Sequence, residues 1–195
     1  MLAIMDQLPW YRRLFFRPTE SDLKSTLTGA GRGDANAQFG LGLKYTAGSG
    51  VAQDFAQAAE WYRKAANQDH APAQFNLSMM FASGQGVPQN DETALVWTRK
   101  AAEGGDADAQ LSLGTRCHRD SMDSLQVDRS ESRIEAFKWF QLAAAQGYKG
   151  SAAACERLTL GMTRAEVSDG SQRAAAFVVR NPVNPQEDSC RTIAE

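Results

Sequence analysis

The chain has 195 residues, 43% of them hydrophobic, which is enough apolar mass for a packed core and excludes global disorder. Its net charge is -2, with 21 basic and 23 acidic residues intermixed. It therefore lacks the basic excess with which nucleic-acid binders neutralise phosphates, and no nucleic-acid partner is expected. Cys117, Cys155 and Cys190 lie 38 and 35 residues apart with no CxxC pair, which argues against a zinc cluster, a dithiol redox motif or a disulfide framework.

The first element is an N-terminal arm, residues 1–18. Its apolar start precedes Arg12, Arg13 and Arg17, the reverse of the order in an export signal. No apolar run approaches the roughly 18 residues that span a bilayer. A soluble cytoplasmic protein is expected, or a periplasmic one if the start is misassigned. In PWYRRLFFRP, Trp10, Tyr11, Leu14, Phe15 and Phe16 interleave with the arginines. The pattern suits a membrane-surface helix, but the preferred reading is a capping helix whose Trp10 and Leu14 cover the end of the structure that follows.

From residue 19 the chain repeats itself. The segment from Asp34 aligns without a gap on the segment from His70 at an offset of 36 residues. Ala35, Ala37, Gln38, Phe39 and Leu41 match Ala71, Ala73, Gln74, Phe75 and Leu77. Gly48, Gly50 and Val51 match Gly84, Gly86 and Val87, and Trp61 matches Trp97. A third copy starts at Asp106, with Trp139 lying 42 residues after Trp97, so six residues are inserted. The polar stretch Arg119 to Arg133 reads as the enlarged loop that holds them. Full repeats are expected at about 34–69, 70–105 and 106–147, with half-copies over Thr19 to Ala30 and Gly150 to Leu158.

Each copy predicts two short antiparallel helices. Ala37, Leu41 and Tyr45 form one face of the first, Gly48-Ser49-Gly50 breaks it, and Ala58, Trp61, Tyr62 and Ala65 form the stripe of the second. One such pair cannot bury its own faces, so neighbours must stack. A surface ion pair is expected between Glu60 and Lys64.

The motifs A-x-A-x-x-x-L-G-x-x-Y, G-x-G-V and A-x-x-W-Y-x-x-A-A resemble the Sel-1-like repeat family, a relative of the tetratricopeptide repeats. The first copy carries them through Ala35, Ala37, Leu41, Gly42, Tyr45, Gly48, Gly50, Val51, Asp54, Ala58, Trp61, Tyr62, Ala65 and Ala66. The second departs with Ser78 and Phe81; the third has Cys117 for the tyrosine and no G-x-G-V turn. Residues 162–177 resemble the helix that closes such arrays. The resemblance implies an all-α, right-handed α/α solenoid over residues 19–177 with helical caps. It also implies that first helices line a concave face. The tail, 178–195, with Pro182 and Pro185 among mixed polar residues, reads as flexible.

Enzymatic signals are weak. His70 occupies the helix-start position held by Asp34 and Asp106, a capping role. His118 and Cys117 are adjacent and so point apart on a helix, which is no dyad. Gly29-Ala30-Gly31-Arg32-Gly33 mimics a phosphate loop without its strand or Lys-Ser/Thr ending, and Arg32-Gly33-Asp34 spells an adhesion tripeptide at a helix start. No catalytic residue, metal site or cofactor is expected. Helical geometry turns Asn36, Phe39, Leu43, Phe75, Met79, Leu111, Thr115 and His118 away from the Leu41–Tyr45 packing face, as a stripe for a partner protein or peptide. The same residues could instead pack against the adjoining repeat. The expected function is a non-catalytic adaptor, regulator or immunity-type inhibitor. The alternative is a carbohydrate- or peptidoglycan-binding protein with weak hydrolase activity.

Overall fold

A computed structural model describes residues 20–123 and 128–177. The described residues form nine helices and no strand: α1 (Glu20–Gly31), α2 (Ala35–Ala47), α3 (Phe55–Ala66), α4 (Ala71–Ser83), α5 (Asp91–Glu103), α6 (Ala107–Met122), α7 (Arg129–Ala145), α8 (Lys149–Thr159) and α9 (Arg164–Ala175). Each packs on its successor from α1 to α8, and α9 docks back on α7. This is the α/α solenoid expected from the repeat, with pairs α2–α3, α4–α5 and α6–α7. The arm 1–18, with its proposed cap of Trp10 and Leu14, and the tail 178–195 lie outside the described residues.

The repeat's helix boundaries are written in capping residues. Asp34, His70 and Asp106 each cap a first helix by accepting from the backbone N–H three residues on. Asp54, Asn90 and Asp128 do the same for the second helices. Gly48 and Gly84 end the first helices with φ of 68° and 71°, a left-handed conformation that glycine adopts without a Cβ clash. At the repeat junctions Gly33, Gly105 and Gly147 also have positive φ, and the equivalent place in the second repeat is taken by Asp69 at φ 59°.

Between repeats the core is made of alanines, which let helices approach closely. Ala58, Ala65, Ala73, Ala101 and Ala109 are fully buried. In each repeat a glutamine of the first helix enters this core. Gln38 Nε2 donates to the Ala30 carbonyl at 3.3 Å, Gln74 Nε2 to Ala66 at 3.1 Å and Gln110 Nε2 to Ala102 at 3.2 Å. Each acceptor sits in the last turn of the preceding helix and also accepts, at 3.1 Å, from the junction N–H of Gly33, Asp69 or Gly105, so the glutamine takes the carbonyl's second lone pair. Gln38 and Gln110 in turn accept from Gln68 and Gln146.

Bulk comes from a ring set on a glycine. A methyl group at Gly42 would lie 2.5 Å from the Tyr62 ring, and one at Gly114 would lie 2.6 Å from Phe140. The Tyr62 hydroxyl also bonds Thr46 at 3.1 Å. In the second repeat the corresponding residues are Ser78, Thr98 and Ala82.

Two expectations are corrected. The stretch Arg119 to Arg133 is mostly helix: α6 runs on to Met122 and α7 starts at Arg129. With no Gly-x-Gly to break it, α6 reaches 16 residues and α7 reaches 17, against 13 and 12 in the first repeat. The lengthened start of α7 seats α9. Arg173 bonds Glu131 and, at 3.0 Å, both Glu135 and Asp169. Glu166 accepts from Ser130 at 2.6 Å and from Arg133 at 2.7 Å, and closes a capping box with Thr163. The second correction concerns Glu60. Its carboxylate pairs with Arg63 at 3.2 Å, and Lys64 instead lies 3.8 Å above the Trp61 ring.

Replacing Gln74 with leucine keeps most of its volume and removes one of the two bonds to the Ala66 carbonyl, which retains the Asp69 N–H. The expected loss is about 0.5–1.5 kcal/mol in urea unfolding, with the helical circular dichroism unchanged before the transition. The bonds from Ser130, then from the Thr163 backbone and Arg133, hold the Glu166 carboxyl at about 2, below its ordinary 4.5. A lowered carboxyl contributes stability that is present above pH 4.5 and lost as pH falls through about 2. Glu166→Gln should therefore flatten that part of the acid-unfolding profile, read by thermal melts between these limits.

Candidate functional site

The eight residues expected to form one stripe divide by repeat. In the first repeat they are part of the fold. Phe39 is half-buried, with its ring 4.8 Å from His70 and 5.8 Å from Tyr62. Leu43 packs against the same core cluster. The Asn36 carboxamide oxygen lies 3.0 Å from His70 Nε2.

In the second and third repeats Phe75, Met79, Leu111 and Thr115 line one pocket of about 640 Å³ between α4 and α6, floored by α5. Met79 is 46% exposed. His118 lies outside this pocket; it is half-buried, and its Nδ1 is enclosed without a hydrogen-bond partner.

Sequence reasoning missed the floor and one lip. The floor is Ser78, Ala94, Leu95 and Thr98, and the lip is Arg116 and Arg119. Ser78 Oγ donates to the Phe75 carbonyl at 2.7 Å and Thr98 Oγ1 to Ala94 at 2.9 Å, so both hydroxyl protons are used within their own helices. Arg116 and Arg119 share one carboxylate, Asp120, at 4.0 Å each. Two further acids line the pocket, Asp91 and Asp108. Asp108 accepts a 2.5 Å bond from the Tyr148 hydroxyl, which pushes that phenol up to about 12. The signal for the floor was present in the sequence: Thr98 and Ser78 are the positions where the second copy departs from the aromatic–glycine pair of the other two.

Burial raises the thiols of Cys117 and Cys155, which disfavours the thiolate that would act as a nucleophile or metal ligand. Among the described residues no group of three or more His, Cys, Asp or Glu is placed to hold a metal ion. No helix among them is long and apolar enough to cross a membrane.

The Sel1 repeat family model matches residues 35–70, 71–106 and 107–148. The chain belongs to the Sel1 repeat family. It is similar over 70% of its length to a Sel1 repeat protein from Oxalobacter formigenes, at 32% identity and a TM-score of 0.61, and spans 54% of that chain. A protective antigen of uropathogenic Escherichia coli with an SLR fold is similar over 80% of this chain, at 23% identity and a TM-score of 0.54. At that identity the likeness concerns the fold alone, and this chain spans 40% of the antigen. No curated protein matches the sequence. Proteins of this repeat family generally serve as protein–protein interaction modules.

His70 joins the first two repeats through its neutral form. The Ala73 N–H points at Nδ1 at 3.2 Å, so Nδ1 is unprotonated and Nε2 carries the proton toward Asn36. Burial holds the imidazole below its ordinary 6.5. A lowered histidine contributes stability that is present above pH 6.5 and lost as pH falls through its folded value. His70→Asn keeps a capping oxygen without a titrating ring. The wild-type melting temperature should fall relative to that of His70→Asn between about pH 7.5 and 5.5, measured by differential scanning calorimetry.

Proposed function

We propose that the array is a non-catalytic docking module that binds a partner protein or peptide in the groove between α4 and α6. The observation that carries this reading is the half-open pocket whose walls are Phe75, Met79 and Leu111 and whose floor is Leu95 and Thr98. Pockets of roughly 300–1,000 Å³ with apolar walls and a few placed polar groups are the usual form of a binding site. Met79 stays 46% exposed on a face that a lone repeat array has no structural need to leave apolar. Among the described residues Phe75 is the one aromatic ring in the lining, and Asp108 is engaged by Tyr148. That composition suits peptide side chains better than the stacked rings and paired carboxylates of a sugar-hydrolysing cleft.

An adaptor, a regulator and an immunity-type inhibitor all use such a groove, and they differ only in the partner. The raised thiols and the separation of His118 from the pocket support a role without catalysis. Met79 and Thr115 are exposed, so charging them leaves the core intact. Affinity capture from the native cell should recover a protein with wild type and lose it with Met79→Glu/Thr115→Glu, once circular dichroism shows the variant folded. Equal recovery by both chains would move the binding surface elsewhere.

A further inference from the structure

The pocket sits where the fold omits a ring. In the first and third repeats the second helix sends Tyr62 or Phe140 onto a glycine of the first helix, Gly42 or Gly114. The second repeat has Thr98 facing Ser78 instead, and these two residues line the cavity of about 640 Å³. A cavity of roughly 150 Å³ suffices to take a benzene ring. The omission therefore leaves room for one aromatic side chain and part of the chain that carries it.

We infer that this pocket is a socket for a Phe or Tyr side chain of a partner peptide, with an acidic residue beside it held by Arg116 and Arg119. The inference rests on the groove being a binding surface, as proposed above. Three features select this occupant. The guest replaces the ring the repeat lacks, so its faces meet the same kind of apolar wall that encloses Tyr62 and Phe140. Ser78 and Thr98 spend their hydroxyl protons on the Phe75 and Ala94 carbonyls, so at the floor their oxygens can only accept. An aromatic tip or a phenol O–H is tolerated there, whereas a buried carboxylate would find no donor. At the lip the situation is reversed, because two guanidiniums share Asp120 at 4.0 Å each and retain donors for a second carboxylate.

The test is a selection of random twelve-residue phage-displayed peptides on the full chain. Enriched peptides are then titrated against wild type, Met79→Glu/Thr115→Glu and Ser78→Gly/Thr98→Tyr. The last variant restores the pair found in the first repeat, so the chain's own ring fills the socket. The expected peptides carry Phe or Tyr next to Asp or Glu and bind the filled variant about thirtyfold more weakly, as for loss of a buried aromatic anchor. If the filled variant loses its helical signal, changing the peptide's aromatic residue to alanine reads the same contact from the other side, with the same weakening expected. Peptides without an aromatic residue, or an absence of any enriched peptide, would overturn the socket. Peptides blocked by Met79→Glu/Thr115→Glu but indifferent to the filled variant would overturn it while leaving the groove standing. Peptides indifferent to both variants would remove both readings.

Discussion

The structure depends on a buried amide. Every first helix of the three repeats turns one glutamine into the alanine core, where it donates to a last-turn carbonyl of the preceding helix beside the junction N–H that the same carbonyl accepts. Alanines alone would let two helices slide, since small apolar contacts are weak and carry no direction. A directed bond in a dry environment fixes the offset between repeats, because breaking it strands the buried amide away from water. The clamp stops at α8, where Ala152 occupies the position and is exposed. There the fold changes its means of attachment, and α9 is held on α7 by charged clusters around Arg173 and Glu166.

That change explains the inserted residues. A polar, aperiodic stretch suggested a loop, yet it lengthens two helices by about a turn each and supplies Glu131 and Arg133 to the closing helix. The charges that made the stretch look solvated are the ones α9 pairs with. The third repeat thus trades the Gly-x-Gly turn of its neighbours for a docking edge. Closure of the array and departure from the repeat pattern have one origin.

Much of the fold was legible because the repeat states it three times. Helix starts could be read from Asp34, Asp54 and Asp106, and reversals from Gly48 and Gly84, since caps and left-handed glycines act locally. The groove was legible only in part. Helical spacing says which residues leave the packing face, and Phe75, Met79, Leu111 and Thr115 do share a pocket. Spacing cannot say whether a neighbour then covers them. Phe39 and Leu43 leave the same face but meet His70 and the Tyr62 cluster, because the first repeat has its ring in place. Most of the floor (Ala94, Leu95 and Thr98) belongs to α5, a second helix, which reasoning about first helices does not reach. Lys64 shows the same limit, since a ring one turn away competes with Glu60 for its charge.

The vacancy at Thr98 also has a mechanical meaning. In a solenoid, rigidity is passed from neighbour to neighbour, so the compliance of the whole is set by its least-filled seam. In the second repeat Ser78 and Thr98 stand where the other two have the glycine and its ring. A guest ring seated there would give the middle of the array the cross-helix contact that Tyr62 and Phe140 give its neighbours.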